Sequence, residues 1–211
     1  KDENPMDDNG HGTHCAGIVA SEDETYMGVA PDANLVALKV LPSSGNGGTV
    51  GDLDSAIEWC VNNAAEYNIS VITMSLGGLK YANSCDSELA FASTVQVVSL
   101  AKAAGITVFA ASGNDNYDDG ISYPACLSDV ISIGNTNKDD EVHTGGGGSN
   151  SANILDLLAP GTSIRSTYLN GGFSTLSGTS MATPHVAGAA ALMKQFGRLQ
   201  GTINMTPTVI K

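Results

Sequence analysis

The chain has 211 residues, room for one good-sized domain, and its 42% hydrophobic content with 25 glycines describes close-packed small residues, which excludes disorder and collagen. With 9 Lys+Arg against 22 Asp+Glu the formal net charge is −13. That would repel a phosphate backbone, so nucleic acid is not expected as a partner, and no apolar run approaches the ~20 residues that cross a bilayer, so a membrane is not expected either.

The first feature in chain order is Asn9-Gly10-His11-Gly12-Thr13-His14-Cys15-Ala16-Gly17, a histidine flanked by glycines at a helix entrance. The apolar run Leu35–Val40 predicts a strand. Gly51 to Asn68, with Leu53, Ala56, Ile57, Cys60, Val61 and Ala64 at helical spacing, predicts a helix. Val71–Ser75 predicts a strand, Glu88–Ala104 a helix stopped by Gly105, and Ile106–Ala111 another strand. Short strands at Val130–Ile133 and Ile154–Leu158 and a last helix from Thr183 to Phe196 complete the pattern. Gly145 to Gly148 predicts a surface loop, because no Lys-Ser/Thr follows to make a phosphate cradle. Strands alternating with helices of this length imply an α/β fold whose parallel sheet is covered on both faces. In such sheets chemistry sits at the C-terminal ends of the strands. Both ends read as cut: Lys1–Asn9 is polar with no strand, and Thr206-Pro207 begins a helix with no room to form.

Three segments lie at such strand ends or helix starts. His11 and His14, three apart, are structural or weakly suggest a metal pair, although no third ligand is nearby. Ser180, in Gly178-Thr179-Ser180-Met181-Ala182-Thr183-Pro184-His185-Val186-Ala187-Gly188, precedes an alanine-rich helix. It is either a cap or a nucleophile placed where the helix end favours an anion. Asn114, in Ala110-Ala111-Ser112-Gly113-Asn114, either donates to an oxyanion or shapes a turn.

In this order the segments resemble the subtilisin-like serine endopeptidases, the subtilase family. Residues 11–17 and 178–188 are similar to its two signature blocks, and the cysteine in the first is typical of the proteinase K-like branch. Met74-Ser75-Leu76-Gly77-Gly78 resembles its substrate-binding segment and Ala111-Ser112-Gly113-Asn114 its S1 wall and oxyanion asparagine. Weaker similarity joins these through Gly28-Val29-Ala30-Pro31, Tyr123-Pro124-Ala125 and Leu158-Ala159-Pro160-Gly161-Thr162. The resemblance implies a three-layer α/β/α fold with a mainly parallel central sheet. It implies that Ser180 attacks the scissile carbonyl, that His11 serves as base and then acid, and that Asn114 with the Ser180 N–H holds the oxyanion. Ser75, Leu76 and Gly77 would pair with the substrate backbone. Ala111, Ser112, Gly113 and Ser122 would line a small uncharged S1 pocket suited to an apolar or aromatic P1 residue. His14, Met181 and His185 are left as packing residues.

The family places an aspartate on a strand well upstream of the histidine. Asp7 and Asp8 are only three or four residues from His11 and read as loop acids. The expectation is therefore that residues 1–211 are a partial catalytic domain, lacking the first strand with its aspartate and the C-terminal helix, and nearly inactive alone. No cofactor is implied for catalysis. Structural calcium is a family feature: the loop Glu22–Met27 does not match the family's calcium loop, whereas Asp156 with carbonyls near Tyr123-Pro124-Ala125 resembles a second site, the alternative being a plain strand-end acid. Four cysteines allow three pairings. Placed on the resemblance, Cys15 and Cys60 read as free thiols and Cys85–Cys126 as a disulfide, fitting a secreted enzyme. The partners implied are polypeptide substrates and an inhibitory propeptide, with a monomeric chain. A competing reading is a catalytically inactive subtilase-fold binding or regulatory domain, against which the joint presence of His11, Asn114 and Ser180 argues. An α/β-hydrolase esterase fits poorly, since Ser180 is followed by Met-Ala rather than x-Gly.

Overall fold

A computed structural model describes residues 6–45, 47–201 and 206–210. In chain order the elements are helices α1 (His11–Ala20), α2 (Val50–Asn62) and α3 (Ala64–Tyr67), strands β1 (Val71–Met74) and β2 (Gly78–Tyr81), α4 (Ala92–Ala103), β3 (Thr107–Ala111), β4 (Ile121–Tyr123), β5 (Ile131–Thr136), β6 (Leu157–Pro160), β7 (Ile164–Tyr168), β8 (Gly172–Leu176), α5 (Thr179–Gln200) and α6 (Pro207–Ile210). A parallel sheet runs β1-β3-β5-β6, and β2–β4 and β7–β8 are separate antiparallel pairs.

Strand β3 shows why the layers form. All five of its residues are buried, and successive strand side chains must point to opposite faces. Val108 and Ala110 accordingly pack with Leu53 and Ile57 of α2 and Val98 and Ala101 of α4. Phe109 instead joins Ile131 and Ile133 of β5 and Ala182, Ala187 and Ala190 of α5. A strand feeding two separate clusters in strict alternation is the centre of a three-layer α/β/α sandwich, as expected. The small residues of α5 let it lie close on β1, β3, β5 and β6.

The structure departs from the sequence reading where hydrogen-bond partners, rather than apolar pattern, decide. Leu35–Val40 forms no strand; Leu35, Val36 and Leu38 are exposed, and no described strand pairs with them. Apolar alternation makes a strand only when a neighbour completes its ladder. The helix expected over 51–68 breaks at Asn63, whose Nδ2 donates back to the Trp59 carbonyl at 2.8 Å. The helix expected from Glu88 begins as a 3-10 turn, Leu89–Phe91, and becomes regular at Ala92. The strand placed at 154–158 forms at Leu157–Pro160, in register with β5. Thr206-Pro207 does open a helix, of a single turn.

The β7–β8 hairpin, absent from the sequence reading, clamps α1. Ser166 Oγ donates to the His14 carbonyl at 2.9 Å and Thr167 Oγ1 to that of Thr13 at 2.9 Å. Tyr168 donates its hydroxyl to the Asn9 carbonyl at 3.0 Å. His14 Nε2 lies 3.1 Å from the carbonyls of both Ile164 and Ser174.

Among the described residues one Lys, Arg, Asp or Glu side chain is enclosed. Lys194 of α5 is 7% exposed and donates to the Gly105 carbonyl at 2.7 Å, just past the end of α4. Burial, reinforced by the nearby Arg198 charge, pushes its pKa from 10.5 down to about 8. Between those values the unfolded chain holds the proton that the folded chain has released, so stability rises with pH across the interval. Urea unfolding at pH 8 and pH 10.5 should show the wild-type midpoint rising relative to that of Lys194→Met; parallel midpoints would contradict this.

Candidate active site

Helix α5 begins at Thr179, so Ser180 is its second residue and not the cap that the sequence allowed. Gly178 holds the cap position with φ 147°, a conformation that a side chain would strain. It offers no capping group, and Asn114, from the end of β3, supplies one across the fold. Asn114 Oδ1 accepts from the Thr179 N–H at 2.8 Å and from the Thr179 hydroxyl at 3.1 Å. The buried Thr179 hydroxyl also accepts from the Gly113 N–H at 3.2 Å. Because the amide oxygen is engaged, the amide nitrogen is the free end. Among the described residues neither Asn114 Nδ2 nor the Ser180 N–H has an acceptor. Two unclaimed donors thus stand beside Ser180 at a helix N-terminus, where negative charge is favoured.

Four residues on, Pro184 has no N–H, so the Ser180 carbonyl has no donor from its own helix. Two other elements supply one. Ser75, directly after β1, donates its hydroxyl to this carbonyl at 2.7 Å, and the Cys15 thiol of α1 reaches it at 3.4 Å. In return the Ser180 hydroxyl donates to the Ser75 carbonyl at 3.4 Å.

Cys15 lies four residues after His11, on the same face of α1. Its contact with the Ser180 carbonyl packs α1 against the start of α5, with His11 one turn before the contact. His11 is half-buried, and no His11–Ser180 hydrogen bond is made. Burial pushes the His11 pKa down and His14 adds to this, against an opposing pull from Asp7, so the ring is neutral at neutral pH. A neutral imidazole is the form that accepts a proton. Among the described residues no carboxylate is hydrogen-bonded to this ring.

Asp7 lies in the loop ahead of α1, as expected, and its carboxylate has a definite task there. One carboxylate oxygen accepts from the Asn9 and Gly10 N–H groups, both at 2.9 Å, and the other from the Thr13 N–H at 2.8 Å and hydroxyl at 2.7 Å. Burial raises its pKa, but these bonds outweigh it and hold the carboxyl down at about 2. It caps α1, a role legible in principle from an aspartate just ahead of a helix entrance. Asp8 pairs instead with Lys39 at 3.2 Å.

Ser75, Leu76 and Gly77 join β1 to β2 without a ladder partner, and the Ser75 carbonyl is engaged by the Ser180 hydroxyl. Ala111, Ser112 and Ser122 are buried, so their side chains pack inside the fold rather than project into solvent. A Cβ on Gly113 would sit 2.2 Å from Asn150 Nδ2 and 2.3 Å from Ser122 Oγ. Asn150, missed by the sequence reading, is fully buried; its Oδ1 accepts from the Asp115 and Tyr117 N–H groups at 2.8 and 3.2 Å. Nothing in its sequence surroundings singles it out.

Cys85 and Cys126 form a disulfide, their Cα atoms 5.5 Å apart, and Cys15 and Cys60 are buried free thiols. Asp156 Oδ2 accepts from the Ser132 N–H and hydroxyl, both at 3.0 Å. It lines one cleft with Ala125, Ser84 and Ser128. One carboxylate among hydroxyl and carbonyl oxygens is a donor set compatible with a hard cation held weakly. Among the described residues no three His, Cys, Asp or Glu converge on a common point.

Residues 1–211 match the Subtilase family. The chain is 43% identical over 194 residues to Subtilisin DY of Bacillus licheniformis, covering 89% of this chain and 64% of that protein. It is 41% identical over 192 residues to Subtilisin Savinase of Lederbergia lenta, covering 90% and 65%. Among solved structures, that of a cold adapted subtilisin-like serine proteinase matches with TM-score 0.80 at 36% identity, covering 100% of this chain and 68% of that one. Sphericase matches with TM-score 0.78 at 31% identity, covering 97% and 68%. The chain thus spans 64–65% of the length of the two subtilisins. With the sheet order, the two helix starts and these likenesses in agreement, the chain belongs to the subtilase family.

Proposed function

We propose that this chain carries the nucleophile, base and oxyanion donors of a secreted serine-type endopeptidase acting on polypeptides. The observation that carries the reading is the pair of unclaimed donors, Asn114 Nδ2 and the Ser180 N–H, beside the Ser180 hydroxyl. Ser180 Oγ leaves its long bond to the Ser75 carbonyl, passes its proton to the neutral His11 and bonds to the scissile carbonyl carbon. The oxygen of that carbonyl becomes an anion facing the two donors, which are held in place before the reaction and so need no reorganisation. His11 then returns the proton to the leaving amine as the peptide C–N bond breaks, and the same residues run the hydrolysis of the acyl-enzyme by water. The unladdered backbone at Ser75 to Gly77 takes the substrate as an added strand. The disulfide supports an oxidising compartment.

A catalytic histidine without a hydrogen-bonded carboxylate supports only slow turnover. Loss of the triad aspartate costs about 3 × 10⁴ in kcat, a magnitude that comes from subtilisin itself and is not independent of this family. A fluorophosphonate probe followed by mass spectrometry separates slow from absent. It should label Ser180 in the wild-type chain and fail in His11→Ala; equal labelling of the two would refute the base. Asn114→Ala should lower the labelling rate by about 10²–10³, again a subtilisin-derived magnitude, with the melting temperature reporting separately the loss of the Thr179 cap. For calcium, we propose a weak site with Asp156 and neighbouring backbone carbonyls as ligands. Millimolar calcium should raise the melting temperature of the wild type but not of Asp156→Asn, and an equal response in both proteins would remove Asp156 from the site.

A further inference from the structure

A proline inside the first turns of α5 leaves the Ser180 carbonyl without its helical partner, and a half-buried carbonyl in that position needs another donor. The Ser75 hydroxyl is the stronger of the two that reach it, at 2.7 Å against 3.4 Å for a thiol, itself a weak donor. Ser75 lies 105 residues away in sequence, directly after the last residue of β1. The same residue holds the Ser180 hydroxyl through its own carbonyl. Two hydrogen bonds of opposite sense therefore tie the backbone and side chain of one serine to another.

We propose that Ser75 is a positioning residue for the nucleophile: its hydroxyl supplies to the Ser180 carbonyl the hydrogen bond that Pro184 cannot. This rests on the reading of Ser180 as nucleophile and goes beyond the substrate-pairing role expected of the Ser75 backbone. The hydroxyl fixes where the first turn of α5 sits relative to the end of β1, and so where Ser180 Oγ points. Substituting Pro184 by alanine would restore an N–H at the normal helical distance and make the Ser75 hydroxyl redundant. The two positions should consequently be coupled, although no contact between their side chains is invoked.

The test is a double-mutant cycle in the full-length protein that carries these 211 residues: wild type, Ser75→Ala, Pro184→Ala and the double variant, with Ser75→Thr as the conservative rescue. Each is read by the fluorophosphonate labelling rate of Ser180 and by its urea midpoint. The probe has no peptide backbone, so a lost substrate-strand contact does not register in its rate. Ser75→Ala should slow labelling at least ~10-fold, a modest share of the ~10²-fold that a displacement of ~1 Å can cost. Pro184→Ala and the double variant should label at rates within ~3-fold of each other, and Ser75→Thr should stay near wild type, as coupled and conservative changes do. A Ser75→Ala protein that folds only in the Pro184→Ala background supports the proposal as well. The same loss in both backgrounds, wild-type labelling of Ser75→Ala, or failure to fold in both would overturn it. In the full-length protein, coupled urea midpoints with no labelling of the wild type would refute the hydrolase reading and with it a role for Ser75 in the reaction, leaving the hydrogen bond itself standing.

Discussion

The carbonyl oxygen of Ser180 is the point at which the end of β1, helix α1 and helix α5 meet, and it is available to them because Pro184 follows four residues later. Leaving a buried carbonyl unpaired costs ~1–3 kcal/mol. A sequence that puts proline there is therefore obliged to bring a donor from elsewhere. The donors come from residues 105 and 165 positions away, so the helix start is satisfied only when the whole sheet is assembled. Geometry at the nucleophile is in this way made a property of the tertiary fold rather than of the local turn.

The same logic governs both helices of the site. Each opens directly after a glycine with positive φ that has no side chain to cap it, Gly10 before α1 and Gly178 before α5. Each is capped instead by a side chain from another position, local for α1 and distant for α5. Asp7 serves α1 as an anion with four donors, and Asn114 serves α5 as a neutral amide with two. The difference matters chemically. A carboxylate at α5 would fill with its own charge the place where an oxyanion must develop, whereas an amide caps with its oxygen and leaves its N–H groups as donors. At α1 the requirement is reversed, because the Asp7 charge opposes the burial and the His14 repulsion that lower the basicity of His11.

Much of the layer structure was legible because β3 is buried on both sides and the first half of α5 is mostly buried, so both carry apolar or small-residue runs. Leu35–Val40 has the same kind of run and forms no strand, which shows that pattern specifies a face but not a partner. At the site, His11, Asn114 and Ser180 stood out through motif resemblance, while the residues that hold them did not. Thr179, Asn150 and the β7–β8 hairpin act through contacts made between distant segments, and Ser, Thr and Asn are common in loops for reasons unrelated to such contacts. Asp7 is legible as a loop acid, but its task as a cap depends on the N–H groups of residues 9, 10 and 13 turning toward it, which spacing alone does not show.

The clamp on α1 also settles the charge state of its second histidine. His14 is fully buried, with Nε2 3.1 Å from two carbonyls. Only a protonated Nε2 bonds a carbonyl, so the neutral ring carries its proton there, and Nδ1 is buried with no partner. A second proton would place an N–H at Nδ1 with nothing to accept from it, and burial accordingly pushes the His14 pKa down from 6.5 despite the two carbonyls. The unfolded chain takes up that proton first as pH falls below 6.5, so the contribution of His14 to stability is held above that value and lost as pH falls through its lower folded value. His11 shifts in the same direction, for burial and for its neighbour. Both rings of α1 are thus uncharged near neutrality because burial outweighs, at His14, the pull of the two hairpin carbonyls toward the charged form and, at His11, the pull of Asp7.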